Sequence, residues 1–279
     1  MIEILKPGLF STIQDKGRVG LQSYGIPHSG SMDSFSSDLG NKILGNNVEN
    51  AVMEITMIGP VLEFKTSSII CITGADLSPF INNVNVLMNT SLVVKKNDVL
   101  SFGRLIDGLR SYIAISGGFK TEKAYNSRSM CKNVTKAVRL NKNDILKFDK
   151  SVTLSDSELL VKNIKSFGNV LSVYKGPEFF MLNSYQQNYI MSHEFSISNS
   201  YNRMAVQLKD LIVNELVSII TSPVIPGTVQ LTPNGTLIIL MRDCQTTGGY
   251  PRILQLEEKS INSVSQLKKN SKLNFKLKI

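Results

Sequence analysis

Short apolar runs closed by turn residues recur along the whole chain. Ser68–Thr73, Ser111–Ser116 and Thr236–Met241 each run six residues and are rich in isoleucine. Runs of that length and β-branched content, bounded by turn residues, predict strands. Pro233-Asn234-Gly235, just ahead of the third, is a tight-turn signal, because Asn and Gly both tolerate positive φ. At the far end Leu273, Phe275, Leu277 and Ile279 alternate with Asn274, Lys276 and Lys278, the period of a half-buried strand.

A short motif occurs three times: Lys95-Lys96-Asn97-Asp98-Val99-Leu100-Ser101-Phe102, Asn141-Lys142-Asn143-Asp144-Ile145-Leu146-Lys147-Phe148 and Lys268-Lys269-Asn270-Ser271-Lys272-Leu273-Asn274-Phe275. Each places Asn in a polar turn ahead of a strand with Leu and Phe at alternate positions. The motif is far shorter than a solenoid repeat, so it predicts a recurring strand-entry turn in a β-rich fold. The second copy is placed to close an N-terminal subdomain near residue 150, and the third closes the chain. The polar stretch Ser151–Ser172, with Asp156, Glu158 and several lysines, reads as the junction between two halves.

Helices are few. Met32, Phe35, Leu39 and Ile43 form one apolar helical stripe, with Ser31 placed to cap its start and Gly45 to end it. Phe179–Ile190 and Ser260–Leu267 are two further helix candidates. Strand-like Glu194–Ser198 and Val206–Leu208 flank a polar break, Asn202-Arg203-Met204.

Composition narrows the function classes. The 279 residues are 42% hydrophobic and 19% charged, as in a folded globular protein. The formal net charge is +9, but the lysines are scattered and no basic run interleaves with aromatics, so no nucleic-acid partner is expected. No apolar run approaches bilayer length and Met1–Lys6 lacks the features of a signal peptide, so no membrane association and a cytoplasmic location are expected. Cys71, Cys131 and Cys244 form no CxxC pair and read as reduced buried thiols. A GxxxxGK[ST] phosphate loop, a GxGxxG turn after a strand and an HExxH helix are all absent. With only His28 and His193 and no ligand spacing, no metal site is expected.

Chemistry concentrates in four polar, Gly-rich stretches. The first is Thr12–Gly20, and the second, Gly25–Asp33, runs into the first helix, whose free N–H groups can hold an anion. The third is Ser198–Met204. The fourth, Asp243–Pro251, offers Gln, two Thr and Tyr as neutral hydrogen-bonding groups beside paired glycines. Each also has a plain structural use: Asp15 and Arg18 pairing across a turn, Ser29 and Asp33 capping a helix, Gln245–Tyr250 forming a hairpin. All four together point to binding loops on a rigid scaffold.

These stretches, in this order, resemble the allophanate hydrolase subunit 2 family, also described as carboxyltransferase subdomains A and B. The resemblance is carried by Thr12–Asp15 with Gly17-Arg18; Gly25–Pro27 with Ser29-Gly30 and Met32-Asp33; Glu54–Thr56 with Gly59-Pro60; Thr73–Asp76; Gly117-Gly118 with Ser127-Arg128-Ser129; Gly176-Pro177; Asn202-Arg203-Met204; Pro226-Gly227; and Gln245–Pro251. Of these, Gln-Thr-Thr-Gly-Gly-Tyr and Ser-Gly-x-Met-Asp are the specific strings. Departures are Ser31 for the usual Ala, Cys244 and Ala205 for Gly, Gln207 for Arg and Met130 for Thr.

The resemblance implies an all-β fold with minor α content. Residues 1–160 would form a β-rich, subdomain A-like part and residues 161–279 a subdomain B-like, cyclophilin-like β-barrel. It implies the role of the C subunit in an ATP-dependent 5-oxoprolinase that converts 5-oxo-L-proline to L-glutamate, inactive alone. The alternatives are a biotin-dependent, urea-carboxylase-like carboxyltransferase subunit, or a KipA-like antagonist of a kinase inhibitor. Implied partners are the A subunit of 5-oxoprolinase, a KipI-like B subunit, plus, for carboxyl transfer only, a biotin carrier protein. ATP is implied by the resemblance alone, held either by this chain or with a partner subunit. On this reading Arg18 and Arg203 are anion anchors, and Ser29, Gln245, Thr246, Thr247 and Tyr250 bind substrate. Asp15 or Asp33 would be the carboxylate for proton transfer.

Overall fold

Strands far outnumber helices, and antiparallel pairing organises nearly all of them. The structure, a computed structural model, describes residues 1–149 and 167–278. It separates into two units, Met1–Gly17 with Ser29–Ser166, and Arg18–His28 with Phe167–Ile279. The boundary expected between residues 160 and 161, most of the Ser151–Ser172 junction, and Ile279 lie outside the described residues. The excursion Arg18–His28, grouped with the second unit, has no signal in the sequence.

The first unit contains β1 (Ile2–Lys6), β2 (Phe10–Gln14), α1 (Ser34–Ile43), β3 (Val52–Thr56), β4 (Val61–Phe64), β5 (Ser68–Asp76), β6 (Pro79–Ile81), β7 (Val84–Asn85), β8 (Ser91–Val94), β9 (Val99–Phe102), β10 (Asp107–Ile115) and β11 (Ile145–Leu146). They form a six-stranded sheet, β11-β1-β4-β9-β6-β7, and a five-stranded sheet, β2-β3-β10-β5-β8. One core joins the two: Ile2, Ile4, Leu62, Phe64 and Leu100 from the first meet Ile13, Met53, Ile55, Ile72 and Ile113 from the second. The other face of β5 and β10 is covered by α1, through Ile43 and Leu44 against Cys71, Tyr112 and Ala114. Covered on both faces, β5 and β10 read as continuous apolar runs rather than alternating ones. Gly40 permits the close approach of the helix, since a Cβ there would lie 3.0 Å from that of Ala114.

Helix α1 corrects the sequence reading in register. It starts at Ser34, capped by Asp33 rather than Ser31; Asp33 Oδ1 accepts from the Ser36 amide at 3.1 Å. The later start turns Phe35 outward to 55% exposure, and the buried face is Ser36, Ser37, Gly40, Asn41 and Ile43. That face is polar because its groups find partners: the Thr73 hydroxyl donates to the Ser36 carbonyl (2.7 Å), and the Asn41 amide group donates to the Asn50 carbonyl (2.8 Å). Gly45 ends the helix as expected, at φ +64°.

The recurring turn is one structure used three times. Asn97, Asn143 and Asn270 all sit in the left-handed region, at φ 72°, 69° and 67°. The next residue folds back each time: Asp98 accepts from the Lys95 amide, Asp144 from the Asn141 amide and Ser271 from the Lys268 amide. Each turn docks on a neighbouring strand by a reciprocal backbone pair, with Phe64, Ile4 and Ile197 as the respective partners. Asn suits this turn because it tolerates the left-handed conformation better than other side-chain-bearing residues.

The second unit contains β12 (Val170–Lys175), α2 (Ser184–Ser192), β13 (Phe195–Tyr201), β14 (Ala205–Leu208), β15 (Ser222–Pro223), β16 (Thr228–Leu231), β17 (Leu237–Leu240), β18 (Thr247–Gly248), β19 (Arg252–Leu256), α3 (Glu258–Gln266) and β20 (Lys272–Leu277). Seven of the strands close a barrel in the order β12-β19-β16-β17-β14-β13-β20, matching the expected β-barrel. Closure comes from β12 and β20, the parallel pair. Val173, Ile197, Val229, Leu237, Leu254, Leu273 and Phe275 are among its buried residues. The helix expected over Phe179–Ile190 divides into a 3-10 turn, Phe179–Met181, and α2, because Asn183 and Gln186 form a reciprocal cap at Ser184. The third helix spans Glu258–Gln266 where Ser260–Leu267 was expected.

Candidate functional site

In the first unit, the end of β2 leads into Asp15, whose carboxylate gathers a loop cluster. Its Oδ1 accepts from the Gly17 amide (2.9 Å) and from the Ser127 and Ser129 hydroxyls (2.6 Å each); Oδ2 accepts from the Arg128 amide (2.6 Å). The Asp15 carbonyl accepts from the Ser31 amide at 3.1 Å. Gly30, at φ +89°, lets this loop lie flat on the Asp15–Gly17 backbone: a Cβ there would sit 3.1 Å from the Asp15 oxygen. With four donors already on it, the carboxylate ties Asp15–Gly17 to Ser127–Ser129, and the Asp15 carbonyl adds Ser31.

The helix start next to it is likewise filled by the chain's own groups. The Met32 amide donates to Glu54 (2.7 Å), the Asp33 amide to the Tyr112 hydroxyl oxygen (2.8 Å), and Tyr112 in turn donates to Glu54 (2.9 Å). Asp33 accepts from the Ser36 amide and, at 2.6 Å, from its hydroxyl. Burial holds the Tyr112 hydroxyl well above its ordinary pKa, and the Glu54 and Asp33 carboxylates add to that. An anion expected at Ser29–Asp33 would therefore face two carboxylates and amides already bonded. Glu54 and Tyr112 had no assigned role in the sequence reading; the available signal was a carboxylate inside the apolar strand Val-Met-Glu-Ile-Thr. Ser29 is fully buried, in the left-handed region at φ 59°.

The second unit presents the fourth stretch differently. Its backbone is pinned: the Val224 amide donates to Thr246 (3.0 Å), the Ile219 amide to Gly249 (2.8 Å) and the Leu231 amide to Pro251 (3.0 Å), while β15 pairs with β18. Buried Gln230 braces it from below, donating to the Tyr250 carbonyl at 3.2 Å. Gly248 makes room for that glutamine, since a Cβ there would lie 2.6 Å from its Nε2. Yet among the described residues the side-chain polar groups of Gln245, Thr246, Thr247 and Tyr250 take no hydrogen-bond partner. A fixed backbone with open neutral donors and acceptors is a preorganised hydrogen-bonding surface.

Arg203 stands at the root of this loop, joined to it through Asp243. The Arg203 carbonyl accepts from the Asp243 amide (2.9 Å), and its Nε and Nη2 donate to the Asp243 carboxylate at 2.8 and 3.0 Å. Two neighbouring arginines follow the same rule: Arg242 forks onto Glu258, and Arg252 onto Glu178. All three guanidinium groups thus face carboxylates of their own chain, a donor set that does not fit a triphosphate. Arg18 is buried at 2% exposure, and its amide closes the Arg18–His28 excursion by donating to the His28 carbonyl at 2.6 Å.

The Arg252 pair makes a pH prediction. Hydrogen bonds from Arg252 hold the Glu178 carboxyl below its ordinary range. A depressed native pKa contributes stability above the unfolded value, about 4.3, and that stability is lost as pH falls through the native value. Melting temperature measured against pH should therefore fall less steeply on acidification in Glu178→Gln than in the parent.

The carboxyltransferase domain model, subdomains A and B, matches residues 24–277. The chain belongs to that family. It is 30% identical to the C subunit of 5-oxoprolinase from Escherichia coli K12, over 99% of this chain and 90% of that one. The same-named protein of Haemophilus influenzae is 28% identical over the same shares. The urea amidolyase of Lachancea kluyveri is 38% identical over 128 residues, 46% of this chain and 7% of that one. Among solved structures, TTHA0988 superposes over 99% of this chain with a TM-score of 0.88 at 21% identity, a likeness of fold; this chain spans 55% of its length. The Kluyveromyces lactis urea carboxylase superposes over 98% of this chain with a TM-score of 0.86 at 25% identity, and this chain spans 27% of its length.

Two family departures have a physical account. Met130 is buried, and its sulfur accepts from the Ile13 amide at 3.4 Å. Cys244 packs with Val224 and Leu240, and burial pushes its thiol up to about 12. Such a thiol is a packing group, not a nucleophile. Cys244→Ser should keep most activity in an assembled enzyme, and the parent thiol should stay inert to a disulfide reagent until the fold opens. A hundredfold loss of turnover in a folded variant would contradict this.

Proposed function

We propose that this chain is the C subunit of a cytoplasmic, ATP-dependent 5-oxoprolinase. Together with an A subunit, and with a KipI-like B subunit, it converts 5-oxo-L-proline to L-glutamate. The observation that carries this reading is the end-to-end likeness to the E. coli C subunit, over 99% of this chain and 90% of that protein. The site geometry is in keeping with it. Opening a lactam puts negative charge on an amide oxygen, which fixed neutral donors stabilise. Gln245, Thr246, Thr247 and Tyr250 supply such groups on a pinned loop. Asp15 and Asp33 are held in structural hydrogen bonds, so the proton relay is assigned to a partner subunit. ATP is assigned there too, because Arg203, Arg242 and Arg252 all face carboxylates.

A second reading, carboxyl transfer from a biotin carrier protein, is favoured by the 38% identity to the urea amidolyase segment. Reconstitution separates the two. The chain alone should show no turnover of 5-oxo-L-proline, and the three subunits together should release ADP only when 5-oxo-L-proline is present. Turnover by the isolated chain would overturn the first reading. A complex inert to 5-oxo-L-proline but active with carboxybiotin would replace it with the second.

A further inference from the structure

The stretch between β14 and β16 is irregular, yet it is firmly held. The Ile212 amide donates to Gly235, the Gln186 side chain to the Val213 carbonyl, the Asn214 side chain to the Thr232 carbonyl and the Ile219 amide to Gly249. Ile212 and Val224 are buried as anchors. Between and beside them Leu211, Val213, Val217, Ile220 and Ile225 stand 60%, 81%, 75%, 91% and 46% exposed. Scattered single apolar residues on a surface need no explanation, but five large aliphatics on one pinned segment do.

We infer that this segment, residues 211–225, is the docking surface for a partner protein with an apolar face of its own, and that docking completes the site at Gln245–Tyr250. The inference rests on the multi-subunit reading above. Charge selects the class of partner. In a chain of net charge +9 the segment carries a single ionisable residue, Glu215. A nucleic acid would require cations, and a bilayer-binding loop carries basic residues to meet anionic headgroups. An apolar protein surface fits instead. A partner that is a different polypeptide is in keeping with the full-length relatives, which are each named as one subunit, the C subunit, of 5-oxoprolinase.

The coupling to the site is direct. The segment's backbone bonds to Thr246 and Gly249 and pairs through Ser222 and Pro223 with Gly248 and Thr247. A protein seated on 211–225 therefore lies against the loop that carries the open hydrogen-bonding groups, and it excludes water from one side of it.

The test uses the full chain and the purified B subunit from the same source, titrated calorimetrically. Val217→Asp/Ile220→Asp is compared with the parent and with a control, Val93→Asp, at an exposed residue of β8. The double variant should melt like the parent but bind about 30-fold more weakly or worse, the loss expected of interface anchors, while the control binds like the parent. Equal binding by parent and double variant would overturn this surface and leave the multi-subunit reading standing. Failure of the parent itself to bind would overturn both. Dimerisation of the parent that the double variant abolishes, seen by sedimentation, would assign the face to a second copy and overturn the inference.

Discussion

Asp15→Ala should lower the melting temperature by on the order of 10 °C. Four donors lose their acceptor: the Gly17 and Arg128 amides and the buried Ser127 and Ser129 hydroxyls. Each unsatisfied buried group costs about 1–3 kcal/mol. Partial relaxation brings the sum to about 4 kcal/mol, and each kcal/mol moves a chain of this size by about 2–4 °C. Asp15→Asn should cost about half as much, because one carboxamide oxygen survives as acceptor while its NH2 group meets a donor. A catalytic base would behave otherwise, with Asp15→Asn folding like the parent and losing turnover. Thermal melting of the two variants decides between these roles.

Arg203→Ala is expected to cost about 3–5 kcal/mol, the range for removing one partner of a buried ion pair. The Arg203 and Asp243 side chains are 8% and 15% exposed, so the orphaned carboxylate regains little water. Arg203→Lys keeps the charge but loses the two-pronged geometry, and about 1–2 kcal/mol with it. Asp243→Ala should cost about as much as Arg203→Ala, and the double variant less than the sum, since neither charge is then left alone. Chemical denaturation of the four proteins measures the coupling. An Arg203 that anchors substrate instead would leave stability unchanged and show its loss in kcat/KM alone.

These two sites also mark where the sequence stops being readable. Strands such as Ser68–Asp76 and Asp107–Ile115 announce themselves through β-branched runs that satisfy any covered sheet. The triplicated turn is legible because one residue, Asn, decides its backbone. The register of α1 was not legible: Ser31 and Asp33 are both good caps, and only the tertiary partners of Ser36 and Asn41 choose between them. The Gln245–Tyr250 loop stood out because it gathers neutral hydrogen-bonding groups beside paired glycines. The charge pairing behind it did not, because Arg203 meets Asp243 and Arg252 meets Glu178 across 40 and 74 residues of sequence. Such partners carry no local signal, so an arginine in a polar break reads as a free anion anchor until the fold supplies its carboxylate.

Under the proposed function, neutral groups on a pinned loop hold the substrate and the surrounding charges serve the fold. Steady-state kinetics of Gln245→Ala and Tyr250→Phe in the reconstituted complex test this. Neither side chain gives up a hydrogen bond among the described residues, so melting should match the parent. If these groups meet charge developing on an amide oxygen, kcat/KM for 5-oxo-L-proline should fall by about 10- to 100-fold. Unchanged kinetics in both variants, with turnover of the parent complex intact, would remove Gln245 and Tyr250 from substrate binding.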